Sequence, residues 1–257
     1  MYSLYSERLL ASKKKSFSVS DDGDVGLVVR YKGTSASATV EVASTTGDIT
    51  FKHGALGAEA VDSTIDSGAS TGGSSDPGVI DVSDSSNLTM GEVVDLINGS
   101  SNWEAYLVDC LRADNANTLL LTLSAAQAHK IPVPSGVRLY KDSSQNDNFD
   151  ISKAITNRDF PNGFTRSDTN KVNRVFGVSE VLNYASGAVT VRVYEINPVE
   201  QSETLVYTRA GGADDVELNL SSTDIDIMSD PGNYLLVRVV NDTIAANGRL
   251  TVLGQSI

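Results

Sequence analysis

Five residues, Gly68-Ala69-Ser70-Thr71-Gly72, match the Gly-x-Ser-x-Gly spacing of a nucleophile elbow. In that device a buried strand enters a helix through a strained turn, which lifts the serine hydroxyl toward a histidine base. Here the flanks are Asp62-Ser63-Thr64-Ile65-Asp66-Ser67 and Gly73-Ser74-Ser75-Asp76-Pro77. Neither flank supplies the strand or the helix, so the segment reads as a long surface loop. Only His53 and His129 could serve as base, and nothing in the sequence brings either to Ser70. Each reads as a plain surface or partly buried histidine.

Metal and redox chemistry find little support. No His-x-x-x-His or Glu-x-x-His spacing exists, and Cys110 is the one cysteine. A disulfide framework, a cysteine zinc site and an iron–sulfur cluster each need several thiols. Cys110, between Val108 and Leu111, reads as a buried reduced residue. Carboxylates are more numerous. Asp21-Asp22-Gly23-Asp24, Asp142 to Asp150, Asp214-Asp215 and Asp224-Ile225-Asp226 offer hard oxygen ligands suited to Ca²⁺. None carries glycine at position six with glutamate at twelve, and acidic residues recur in turns because they hydrogen-bond locally. A glycosidase pair would flank an aromatic-lined groove, and aromatics are 6% of this chain. Neither Gly-x-Gly-x-x-Gly after a strand nor a phosphate-binding loop occurs. The sequence therefore predicts no enzyme and no cofactor. The four Asn-x-Ser/Thr sequons, at Asn87, Asn98, Asn219 and Asn241, are expected by chance at this serine and threonine content.

Charge limits the partners. Thirty-three acidic residues against 20 basic ones give a net charge of −13. Such a surface repels phosphate backbones over a Debye length of about 8–10 Å, so nucleic acid is not an expected partner. The main basic cluster is Arg8 with Lys13, Lys14 and Lys15. It lies in a segment, residues 1–24, that reads as an N-terminal arm able to dock on an acidic neighbour. Leu9, Leu10 and Ala11 precede the lysines, the reverse of a secretory signal. No run of about 18 apolar residues suggests a membrane helix. These features predict synthesis in a cytoplasm and no membrane partner.

The elements follow from periodicity. Gly26–Tyr31 reads as a strand, Lys32-Gly33-Thr34 as a turn, and Ala36–Ala43 as a half-buried strand with Ala38, Val40 and Val42 on one face. Together they predict a hairpin, followed by a short strand over Ile49–Lys52. Thr89-Met90-Gly91-Glu92 fits a capping box, Met90, Val93, Val94 and Ile97 form one apolar stripe, and Asn98-Gly99 ends the helix. Strands over Val79–Val82 and Trp103–Val108 bracket it, and Leu119–Leu123 would close a small α+β domain over residues 25–123. Residues 124–170, with Ile131-Pro132-Val133-Pro134 and the polar run to Asp150, read as an extended connector. Residues 171–257 hold β-rich runs at 172–182, 188–196, 204–209, 216–220, 234–240 and 249–253, separated by turn clusters. They predict an antiparallel β-sandwich. The expected fold class is mainly β with an α+β N-terminal part and one short helix.

Two of these features resemble a known family. The run from Val79-Ile80-Asp81-Val82 through Leu88–Asn98 to Trp103–Arg112 is similar to a module of tailed-bacteriophage structural proteins. The C-terminal β half is similar in style to capsid decoration, or cement, proteins. The resemblance covers roughly residues 36–123 and 171–257. It implies a non-catalytic virion component, commonly a homotrimer, bound to the major capsid protein on the capsid exterior. A second expectation is a tail, head-fibre or host-adhesion module that binds carbohydrate through Tyr184, Tyr194, Tyr207 and Tyr234. A non-viral adhesion module and a hydrolase with a hidden carboxylate pair complete the alternatives.

Overall fold

The computed structural model of the chain describes residues 8–16, 25–43, 47–65, 77–82, 88–116, 122–128, 136–140, 149–155, 172–183, 189–211, 217–241 and 247–256. The fold is mainly β, and every strand pair described is antiparallel. Strand β1 (Arg8–Ser16) comes first. The chain divides into two compact units, one built mainly from residues 22–145, the other from residues 1–21, 146–158 and 165–257.

The unit of residues 22–145 contains β2 (Val25–Tyr31), β3 (Ser37–Val42), β4 (Ile49–Ala55), β5 (Ala58–Val61), β6 (Val79–Ile80), α1 (Met90–Gly99), β7 (Trp103–Leu107), β8 (Leu123–Gln127) and β9 (Val137–Tyr140). One sheet has the order β7-β2-β9, the other β5-β4-β3-β8 with β6 also on β4. Leu27, Val29 and Tyr31 of the first sheet join Val40, Ile49 and Phe51 of the second in one core. Trp103 stands edge-on to both Tyr31 and Phe51, with ring centroids 5.0 and 5.2 Å away. Edge-to-face pairs of this kind add about 0.5–1.5 kcal/mol each beyond area burial.

Helix α1 forms as its sequence predicts. Thr89 Oγ1 accepts from the Glu92 amide at 3.2 Å, and the Thr89 amide donates to Glu92 Oε2 at 2.7 Å. Met90, Val93, Val94 and Ile97 are buried. Asn98 does more than end the helix. Its side chain donates to the Ala105 carbonyl at 3.1 Å and accepts from the Ala105 amide at 2.9 Å. One amide group thus supplies β7 with the pair of bonds that another strand would make.

The expected hairpin of residues 26–31 with 36–43 does not form. β2 pairs with β7 and β9, whereas β3 pairs with β4 and β8. The cause is Tyr31, which is buried at the turn. A Cβ on Gly33 would lie 2.3 Å from its hydroxyl oxygen, and that oxygen accepts from the Ser35 amide. The loop closes over the ring and carries the chain from one sheet to the other. The true hairpin is β3–β4, and a second, β4–β5, turns through Leu56-Gly57 with Gly57 at φ +77°.

The second unit contains β1, β10 (Phe149–Ile155), β11 (Asn173–Asn183), β12 (Val189–Asn197), β13 (Ser202–Ala210), β14 (Glu217–Leu220), β15 (Ile227–Met228), β16 (Tyr234–Asn241) and β17 (Asn247–Ser256). Its sheets are β1-β17-β11-β14, with β15 on β11, and β10-β16-β12-β13. Val175, Val178 and Val252 of one sheet meet Val191, Val193, Leu235, Val237 and Val239 of the other, the packing of a β-sandwich. The alternation in β12 holds, since Val191 and Val193 are buried. On β16 it breaks: Leu236 and Arg238 are buried as well, so both faces of this strand are covered.

Two segments depart from their sequence reading. Within the expected arm, residues 8–16 form β1 and pair along β17 from Arg8↔Gly254 to Ser16↔Asn247. Within the expected connector, β8 and β9 complete sheets of the first unit, and β10 pairs with β16 from Phe149↔Asn241 to Ile155↔Leu235. Val137 and Leu139 are core residues. A four-residue alternation between proline-rich and polar flanks is too short to stand out locally. It becomes a strand because β2 has an open edge to pair with.

Candidate functional site

The Asp62 carboxylate accepts four hydrogen bonds in the first unit. The residue follows β5, and its amide donates to the Phe51 carbonyl at 2.9 Å, extending the β4–β5 ladder by one rung. Its residue surface is 2% exposed. Oδ1 accepts from the Thr64 amide at 2.9 Å and the Thr64 hydroxyl at 2.7 Å, an Asx turn closed by the next residue but one. Oδ2 accepts from Asn102 Nδ2 at 3.0 Å and Trp103 Nε1 at 2.9 Å. Burial alone would raise the pKa, but the Thr64, Asn102 and Trp103 hydrogen bonds outweigh it and hold the carboxyl below its ordinary range.

The network reaches further. Thr64 gives its proton to Asp62, so Ser100 Oγ, 2.8 Å away, donates to the Thr64 oxygen and accepts from the Asn102 amide at 3.1 Å. The end of α1, the start of β7 and the end of β5 are thereby tied to one carboxylate. Gly78 packs against the same turn. Its φ is +83°, and a Cβ there would lie 2.6 Å from the Asp62 carbonyl oxygen.

His53, on β4, connects this network to the surface. Nε2 is 3.3 Å from Asp62 Oδ2, Nδ1 is 2.9 Å from Ser35 Oγ, and the ring stacks on Tyr31 at 5.4 Å and 27°. The side chain is 28% exposed. An ionised carboxylate only accepts, so it favours the proton on Nε2. Nδ1 is then the acceptor, and the Ser35 hydroxyl donates to it. Sequence reading treats His53 as a plain histidine and Asp62 as part of a low-complexity loop. Two signals point to the site: Asp62-Ser63-Thr64 is an Asx-turn pattern, and a lone buried tryptophan requires an acceptor for Nε1.

The other sequence candidates fall elsewhere. Ser70, His129, Tyr184, Asp21–Asp24 and Asp214-Asp215 lie outside the described residues, as do residues 142–148 of the run to Asp150. Asp224 Oδ2 accepts from the Ser221 hydroxyl at 2.7 Å and amide at 2.9 Å, which lower its pKa. Asp226 faces Arg174 with both oxygens, at 2.7 and 2.9 Å. Asp224 follows the local hydrogen-bonding reading, whereas Asp226 pairs with an arginine 52 positions away. Cys110 is buried, and its thiol donates to the Gly26 carbonyl at 2.9 Å. Tyr207 packs against the sandwich core, Tyr194 follows core residue Val193 and so faces the other way, and Tyr234 is buried. These three do not converge on one open face.

Arg8, Lys13, Lys14 and Lys15 all belong to β1, an edge strand, with backbone partners Gly254, Leu250, Arg249 and Gly248 on β17. The other sheet ends at β13, where Leu205 and Val206 are 49% and 40% exposed and Val199 in the preceding loop is 66% exposed. Among the described residues, no helix is long and apolar enough to cross a membrane, and no group of three or more His, Cys, Asp or Glu side chains is arranged to hold a metal.

No protein-family model matches the chain, and no curated protein matches it. Among solved structures, it is similar at 12% identity and a TM-score of 0.18 to a structure of infectious bursal disease virus, Gt strain, covering 91% of this chain and 57% of that one. The Gx strain structure gives 13% and 0.21, with 95% and 69% covered. The VP2 subviral particle of the same virus gives 13% and 0.18, with 96% and 70% covered. The chain thus spans just over half of the first of these.

Proposed function

We propose that this protein is a structural component of a virus particle, a decoration protein that docks on the outside of the assembled capsid as a homotrimer, with the major capsid protein as partner. The observation that supports it is β13, which ends its sheet among the described strands. A nine-residue strand with paired backbone on one side and Leu205 and Val206 exposed is a template for another polypeptide. By its sequence β1 carries Arg8 and Lys13–Lys15, basic residues suited to an acidic neighbour of this acidic molecule. A protein that binds the assembled shell and not its free subunits turns association energy into shell stability.

The test is co-sedimentation of the purified chain with assembled capsids, together with its mass in solution. Binding to capsids by a trimer is the expected result. A monomer that never sediments with particles removes this reading. Replacing Leu205 and Val206 together by lysine should weaken capsid binding at least about tenfold, the worth of roughly 1.4 kcal/mol at an interface, with the thermal midpoint unchanged.

A further inference from the structure

We propose that Ser35 is a nucleophile activated by His53 and oriented through Asp62, and that this site takes an acyl group from small esters. The structure supplies the nucleophile, base and orienting carboxylate of such a site in one chain of contacts. The serine oxygen is 2.9 Å from a ring nitrogen, the other ring nitrogen is 3.3 Å from a carboxylate oxygen, and that carboxylate is buried and held by four hydrogen bonds from Thr64, Asn102 and Trp103. The ring is also fixed face-on by Tyr31. The nitrogens exchange their usual tasks, Nδ1 facing the serine and Nε2 the acid, but the proton logic is unchanged. Ser35 itself is partly exposed, between the exposed Thr34 and Ala36.

The step balances without a co-reactant. Ser35 Oγ bonds to the ester carbonyl carbon while its proton passes to His53 Nδ1. The carbon–oxygen bond to the alcohol breaks, and the departing alkoxide takes the proton from Nδ1, leaving acyl-Ser35. Water repeats the cycle in reverse roles, bonding to the acyl carbon, giving a proton to Nδ1 and releasing the carboxylic acid as Ser35 recovers its hydrogen. Asp62 is a positioning residue, since it keeps the Nε2 proton in place and never meets the ester.

None of this depends on the capsid reading, and each can fail alone. The experiment treats the full chain with p-nitrophenyl acetate and, separately, with a fluorophosphonate probe, and locates the adducts by peptide mass spectrometry. One adduct concentrated on Ser35 is expected, absent in Ser35→Ala. His53→Ala should slow acylation about a hundredfold, the scale of general-base assistance, and added imidazole should restore much of it through the half-open position. Asp62→Asn should slow it too, yet add nothing in a chain already lacking His53, because the two act as one unit. Circular dichroism and Trp103 fluorescence verify that each variant is folded. If Ser35 labels no faster than other surface serines, or labels equally well without His53, the proposal is wrong and the three residues are a structural pin.

Discussion

A single carboxylate, Asp62, joins the ends of three elements, and its removal should show this. Asp62→Ala leaves the Trp103 indole and the Asn102 amide without their acceptor in a dry setting. A loss of roughly 2–4 kcal/mol is expected, since each buried donor left unpaired costs about 1–3 kcal/mol. Trp103 is the one tryptophan, so urea unfolding followed by its fluorescence reports on this unit. The pH dependence has a definite sign. The Asp62 pKa is lowered on folding, so its contribution is complete above the unfolded carboxyl value near about 3.9 and fades as the pH falls through the lower folded value. The same fluorescence assay between about pH 5 and 2 should show this loss, and Asp62→Asn should flatten it. Sequence alone makes the Asx turn visible; it does not show that Trp103, 41 positions along the chain, closes on the same oxygen as Asn102.

Elements differ in how far their own residues specify them. Helix α1 is local: its cap and apolar stripe lie within residues 89–97 and form as expected, while the helix runs on through Asn98 and Gly99 to an extended C-cap at Ser100. Thr89→Ala should lower stability by about 1 kcal/mol, the usual worth of an N-cap side chain, measured as the shift in urea midpoint. Asn98→Ala should cost more, roughly 1–3 kcal/mol, because the Ala105 amide and carbonyl both lose a partner. Gly78→Ala should cost at least about 1–2 kcal/mol from its left-handed backbone alone, with the overlap on Val61 and Asp62 adding to that. Strands of the sandwich are legible for a different reason. Val191 and Val193, or Leu235, Val237 and Val239, repeat every second residue long enough to mark a face. Short strands such as β9, and β1 with its three lysines, carry no such mark. They exist because β2 and β17 offer them an edge.

At the scale of the molecule, two hydrophobic cores and the terminal strands β1 and β13 bear on function. Size-exclusion chromatography with light scattering over a range of concentrations should find the chain as an oligomer, and the paired lysine substitutions at Leu205 and Val206 should not unfold it, since both side chains already face water. Composition and spacing by themselves determined the mainly β class, the sandwich in the C-terminal half, the capped helix and the lack of any recognisable cofactor motif. Each of these rests on residues within a dozen positions of one another, where backbone geometry ties spacing to shape. Tertiary structure alone decided that β2 and β3 part company, that residues 8–16 are a strand, and that Ser35, His53 and Asp62 meet. Such choices depend on which distant edge or buried ring a segment finds, and the free energy of that meeting belongs to both partners at once, so neither stretch of sequence records it.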